Sequence, residues 1–198
     1  NVSIFYPKIG DKKKLLILSE RNAKYNLLEI ERKKLKENER SKTKPSLIFL
    51  KKDLKLKTVP IHIECFDNSN IQGSLPTSSC VVFKNGLPSK KDYRIFKIKT
   101  ITQADDFASM REVVFRRYKR VLGEKGDLPD LIVIDGGKGQ LSSAKESLKR
   151  LGLSGKIAII GVAKKLESIY FPNDKVPLFI DKKSPSLKLI QTIRNEAH

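Results

Sequence analysis

With 198 residues, 39% of them hydrophobic, the chain can bury one core of ordinary domain size plus an extension. Its 41 Lys and Arg against 22 Asp and Glu leave a net charge of +19, which argues against a cationic partner and for a polyanion, nucleic acid before an anionic membrane. Two cysteines, Cys65 and Cys80, exclude a disulfide framework and any zinc-ligand spacing, and read as reduced core thiols. No apolar run has membrane-spanning length and no signal peptide or lipidation motif is present, so a cytoplasmic protein with no membrane partner is expected.

Residues 1–60 carry 17 Lys and Arg against 7 Asp and Glu, more than half of the excess charge. From Asp11 to about Lys42 the residues Leu15, Leu18, Ala23, Leu27, Ile30 and Leu35 keep an approximate helical stripe, so residues 1–58 read as a basic, partly helical connector. From residue 59 onward strands take over. IHIECF is a first strand running to Asp67, SSCVVF a second and YRIFKIKT a third, with a hairpin signal at Asn85-Gly86. Short turns between them predict an antiparallel meander.

A helix follows, with Phe107, Met110, Val114, Tyr118 and Val121 on its buried stripe and Arg111, Arg116, Arg117, Lys119 and Arg120 around it. LIVIDGGKGQ then reads as a strand buried on both faces, ending at Asp135, broken by Gly136 and Gly137 before a helix opens at Lys138. A second apolar strand, KIAIIGVA, is reached by a helical crossover and pairs in parallel. After a loop around residues 172–177, Ser184-Pro185 caps a last helix. The predicted fold is α/β and RNase H-like: a mixed five-stranded sheet, three strands antiparallel and two parallel, with flanking helices.

In that layout the ends of the first and fourth strands lie side by side, which sets Asp67 and Asp135 against each other. Two strand-end carboxylates with a helix-borne third donor make an oxygen-rich site for Mg²⁺ or Mn²⁺, the chemistry of phosphodiester hydrolysis. His198 fits the third position, because Gln191, Arg194 and His198 share the polar face of the last helix. Asp67, Asp135 and His198 are therefore the candidate catalytic residues and metal ligands. Arg111, Arg116, Arg117, Lys138, Gln140 and Arg194 are candidate DNA contacts to phosphate. The GGKGQ run lacks phosphate-loop spacing, and Tyr118 reads as core rather than as a base-stacking platform.

The runs IECFDNSNIQG, SSCVVF, DDFASMREVVFRRY, PDLIVIDGGKGQL and LIQTIRNEAH resemble the C-terminal endonuclease half of the UvrC family, the nuclease subunit of bacterial nucleotide excision repair. The resemblance covers residues 61–198. It implies an RNase H-like endonuclease that cuts damaged double-stranded DNA 5′ to a lesion, with UvrB as partner and Asp67, Asp135 and His198 at the catalytic positions. Asp106 matches a further acidic position of the family, and it or Asp105 could equally serve the helix amino end. Asn70, where relatives carry a histidine, is expected to have at most a supporting role. Family members continue beyond the EAH run and carry further domains, so the chain is expected to be a fragment. The alternative from another class is a non-catalytic nucleic-acid scaffold of the same fold.

Overall fold

The computed structural model describes residues 6–41, 44–69, 76–99, 105–163 and 167–198, with the side chains of 31–41 excepted. Asn70, the turn around Gly73 and the side chain of Leu35 lie outside the described residues. The chain divides into two compact units, Asn1–Lys42 and Thr43–His198. Among its described residues the first holds one helix, α1 (Gly10–Ser41), whose Leu15, Leu18, Leu27 and Ile30 are exposed. Among the described residues no helix is long and apolar enough to cross a membrane.

The second unit begins earlier than the expected boundary at residue 59. α2 (Pro45–Asp53) belongs to it, because Leu47, Leu50 and Leu54 are buried in its core. The lysines around this short apolar segment disguised it as connector. β1 (His62–Ser69) and β2 (Thr77–Lys84) then pair antiparallel along their whole length. The turn at Asn85-Gly86, with φ of 52° and 69°, is the left-handed pair that a tight hairpin requires.

The third expected strand is an interrupted edge. β3 (Leu87–Pro88) pairs with one end of β2, a 3-10 turn at Lys90–Asp92 intervenes, and β4 (Arg94–Lys97) pairs with the other end. Pro88 has no donor for a continuous ladder, which confines it to such an edge. α3 (Asp106–Gly123), β5 (Leu131–Asp135), α4 (Lys138–Arg150) and β6 (Ala158–Ala163) follow as a parallel crossover unit. β7 (Ser168–Tyr170) adds an antiparallel edge to β6, and α5 (Pro185–Ala197) closes the unit.

The sheet order is β3-β2-β1-β5-β6-β7, with β4 also on β2, so seven strands stand among the described residues where five were expected. The two additions are short edges, and the central order is the RNase H-like one. Side-chain alternation splits the core in two. Ile63, Cys65, Leu131 and Val133 face α2 and α5, while Phe66, Ile132 and Ile134 face α3 and α4. Phe107 departs from the expected α3 stripe: it is half exposed and its ring lies over Gly139 of α4.

Candidate active site

The register that sets the core also sets the chemistry. β1 and β5 are parallel neighbours, paired through Phe66 and Ile134. One residue further on each strand stand Asp67 and Asp135, and by parity both side chains point to the α5 face. Adjacent strands lie about 4.8 Å apart, a separation over which two carboxylates can share one cation. Asp67 and Asp135 are 6% and 4% exposed, so their charges need partners close by.

α5 supplies the partners. Its residues Arg194 and His198 are one turn apart on the same face, with the His198 amide donating to the Arg194 carbonyl. His198 Nδ1 lies 3.1 Å from Asp67 Oδ2, and Arg194 Nε lies 3.5 Å from Asp135 Oδ1. The end of α5 is held in place by Ser79, which sits opposite Asp67 in the β1–β2 ladder and donates to the Ala197 carbonyl at 2.6 Å. Tyr93 on Glu196, at 3.1 Å, adds a second tie. Burial, and then that carboxylate, push the Tyr93 phenol up to about 12. Cys65, two residues before Asp67 on the same face, shares this environment. Burial pushes its thiol well up, and the charges of Asp135 and Asp67 push it further, so it is an inert core thiol; Cys80 is likewise free and buried.

The β5–α4 turn is pinned from below. The Gly136 amide donates to Val162 of β6, and a Cβ on Gly161 would stand 3.0 Å from the Gly136 carbonyl and 3.2 Å from Leu141. Gly161→Ala is therefore expected to lower the unfolding free energy by about 1–3 kcal/mol, read as a reduced urea midpoint. An unchanged midpoint would show that the turn yields freely. On the other side of the turn Gln140 folds its side chain back over Gly136, filling the place a Cβ would take.

The remaining candidates separate. Asp106 sits in the first turn of α3, capped by Asp105, whose carboxylate accepts from the Phe107 and Ala108 amides. The Asp106 carbonyl accepts from Asn68, one residue past Asp67, which brings the start of α3 to the end of β1. Arg111 pairs with Glu146 of α4 and Arg116 with Glu112 and the Lys97 carbonyl, both with exposed surface left for a ligand. Lys138 donates to the Lys175 carbonyl at 2.5 Å and lies over the Tyr170 ring.

Arg117 and Arg194 differ from the phosphate contacts expected of them. Arg117 turns inward onto buried Glu64, with Nη2 2.6 Å from Oε1, and Arg194 is 12% exposed and bound to carboxylates. Tyr118 is core, as expected, and its hydroxyl donates to Glu64 at 2.9 Å. Sequence reasoning missed Glu167, whose Oε2 is 2.9 Å from Arg194 Nη1, and the buried Glu64 cluster.

Among the described residues no three His, Cys, Asp or Glu side chains close around one point. The site consists of two adjoining pairs, Asp67 with His198 and Asp135 with Arg194. Its donor set of two carboxylates and an imidazole nevertheless fits a divalent ion, and the Arg194 guanidinium stands as the cation at the more buried carboxylate.

An RNase H-like sheet with paired aspartates at the ends of its central strands defines a nuclease class. Within it the chain belongs to the family of the UvrC RNase H endonuclease domain, whose model matches residues 51–198. The chain is 59% identical over 198 residues to the UvrABC system protein C of Christiangramia forsetii, covering 100% of this chain and 33% of that protein. It is 55% identical over 199 residues to that of Porphyromonas gingivalis, again covering 100% and 33%. The chain thus spans about a third of the length of these curated relatives. Among solved structures it is similar to an Endonuclease V of Ciona intestinalis in complex with a 23mer DNA, at TM-score 0.43 and 18% identity over 72% of this chain and 59% of that one. A Bacillus subtilis Endonuclease V gives TM-score 0.34 and 13% identity over 70% and 66%.

Proposed function

We propose that this domain makes the incision 5′ to a lesion in damaged double-stranded DNA, acting with UvrB in a UvrABC-type reaction and needing Mg²⁺ or Mn²⁺. The observation that carries the reading is the adjacency of Asp67 and Asp135 on neighbouring parallel strands, with His198 hydrogen-bonded to the first. Asp67, Asp135 and the His198 ring would hold the ion. When bound, a divalent ion lowers the pKa of a water and stabilises the charge on the leaving oxygen.

The chain's own contribution is placement. Asp67 fixes the His198 ring through Nδ1, which leaves Nε2 for one of two roles, ligand to the ion or carrier of a proton. Water adds to phosphorus, one P–O bond breaks, and the departing oxygen takes up a proton. Arg111, Arg116 and Lys138, with Gln140 at the start of α4, line the route for phosphates, and the net charge of +19 draws the duplex in. Asp106, at the start of α3 beside the end of β1, is the secondary acidic candidate.

Metal removal tests this reading. With the domain carried in a full-length UvrC protein and assembled with UvrA and UvrB on a duplex bearing one lesion, EDTA is expected to abolish the 5′ cut. Added Mg²⁺ or Mn²⁺ should restore it. A 5′ cut indifferent to chelation would overturn the metal role, and DNA binding with no cut under any metal would favour the scaffold reading.

A further inference from the structure

Arg194 stands in an unusual position for a helix-borne arginine in a DNA-directed site: it faces two acids and almost no solvent. Its Nε is 3.5 Å from Asp135 Oδ1, its Nη1 is 2.9 Å from Glu167 Oε2, and its side chain is 12% exposed. The guanidinium is shared between the two carboxylates, and the shorter contact goes to Glu167. Glu167 is itself held at φ 53°, in the left-handed region that residues other than glycine rarely adopt, directly before β7. Such backbone strain persists where the surroundings over-determine a residue, often at sites whose geometry matters for function.

Asp135 cannot serve a guanidinium and a divalent ion equally at once. Two cations at one buried carboxylate repel strongly, because little water intervenes to screen them. Lysine or histidine could answer by losing a proton, whereas arginine stays charged in a protein and has to be drawn aside. Glu167 already grips the other edge of its fork.

We propose that Arg194 and Glu167 are positioning residues for the nuclease reaction: Arg194 neutralises Asp135 before metal arrives, and Glu167 holds the guanidinium off when metal binds. Arg194 thus competes with the ion, and Glu167 acts through Arg194. Because His198 is one turn further along α5 and bonded to Asp67, the same helix face tends both aspartates. The inference rests on the metal-site reading above.

The test is Mn²⁺ binding to the chain without DNA, followed by calorimetry and by loss of the free-ion EPR signal, with thermal melts confirming that each variant folds. Arg194→Gln is expected to tighten Mn²⁺ binding by about tenfold, since it removes the competing cation, and Glu167→Gln to weaken it by about tenfold. The double variant should match Arg194→Gln alone. Should Arg194→Gln fail to fold, Glu167→Gln against Glu167→Asp decides, with the aspartate expected to restore most of the affinity.

Weaker binding in Arg194→Gln would make the arginine a mere clamp and overturn the proposal. So would a Glu167→Gln effect that persists undiminished in the Arg194→Gln background, or one that the aspartate does not rescue. Wild type and Asp135→Asn separate the two levels. Mn²⁺ bound by the first and lost by the second upholds the metal site and leaves the signs above to judge the positioning role, whereas no binding by wild type sinks both.

Discussion

Asp135→Asn is expected to reduce 5′ incision at least about 100-fold while leaving the fold and the affinity for DNA close to those of wild type. Losing a residue that only supports a metal ligand costs about 10–100-fold in metal affinity or activity, so loss of a ligand carboxylate should exceed that range. Asparagine has the shape of aspartate, so the packing against β6 and α5 survives. The substitution also removes a charge from a position only 4% exposed, which relieves a desolvation penalty and offsets the lost contact to Arg194. Arg194 keeps its bond to Glu167.

In the proposed function, affinity for DNA comes from the many surface cations, and removing one acid makes the domain slightly more basic, so binding and its salt dependence should hold. Incision on a single-lesion duplex, fluorescence anisotropy of the same duplex and a thermal melt read the three quantities separately. Cutting at an undiminished rate would remove Asp135 from the site. Loss of binding in step with loss of cutting would make it a structural residue.

The parts of this site that the sequence makes legible are those encoded within one element. The run LIVID declares a buried strand and places its only charge at the end, and the first strand sets Asp67 behind the apolar run, with Glu64 as a second acid inside it. Once the order of elements implies neighbouring parallel strands, their convergence follows. The shared face of Arg194 and His198 is equally local, since it needs only helical spacing.

What the spacing lacks is the identity of the group across the gap. Arg194 was legible as a polar-face residue near the site, but its partners are Asp135 and Glu167, and Glu167 precedes a three-residue edge strand with no glycine or proline to announce its turn. Arg117 was one of several basic residues on a helix. Its partner Glu64 lies 53 positions earlier, inside an apolar strand run. There a signal did exist: a lone acid flanked by Ile63 and Cys65 in a central strand must find a cation if it is buried.

That buried acid carries the largest expected effect on stability. Glu64 is fully buried and takes a bidentate contact from Arg117, at 2.6 and 3.2 Å, and a hydrogen bond from the Tyr118 hydroxyl at 2.9 Å, with His62 Nε2 3.3 Å away. Burial alone would raise its carboxyl; the contacts to His62 and Arg117, the Arg117 charge and the Tyr118 hydroxyl together outweigh this and hold it at about 2, against an ordinary 4.5. The pair ties α3 to β1 three residues before Asp67.

Glu64→Ala leaves the Arg117 charge and the Tyr118 hydroxyl buried without their acceptor, and is expected to cost about 3–5 kcal/mol, a large share of the 5–15 kcal/mol typical of a domain. Replacing both Glu64 and Arg117 by leucine or methionine should recover most of that loss, since no charge is then stranded. The pH dependence has a definite sign. The folded-state value lies below the unfolded one, so the stabilisation is fully present above pH 4.5 and is lost as pH falls through about 2. Urea midpoints measured from pH 6 down to pH 2 should therefore fall steeply for wild type and more shallowly for the double replacement. If Glu64→Ala unfolds at the wild-type midpoint at neutral pH, the ion pair holds nothing together and the positioning of β1 must come from the apolar core alone.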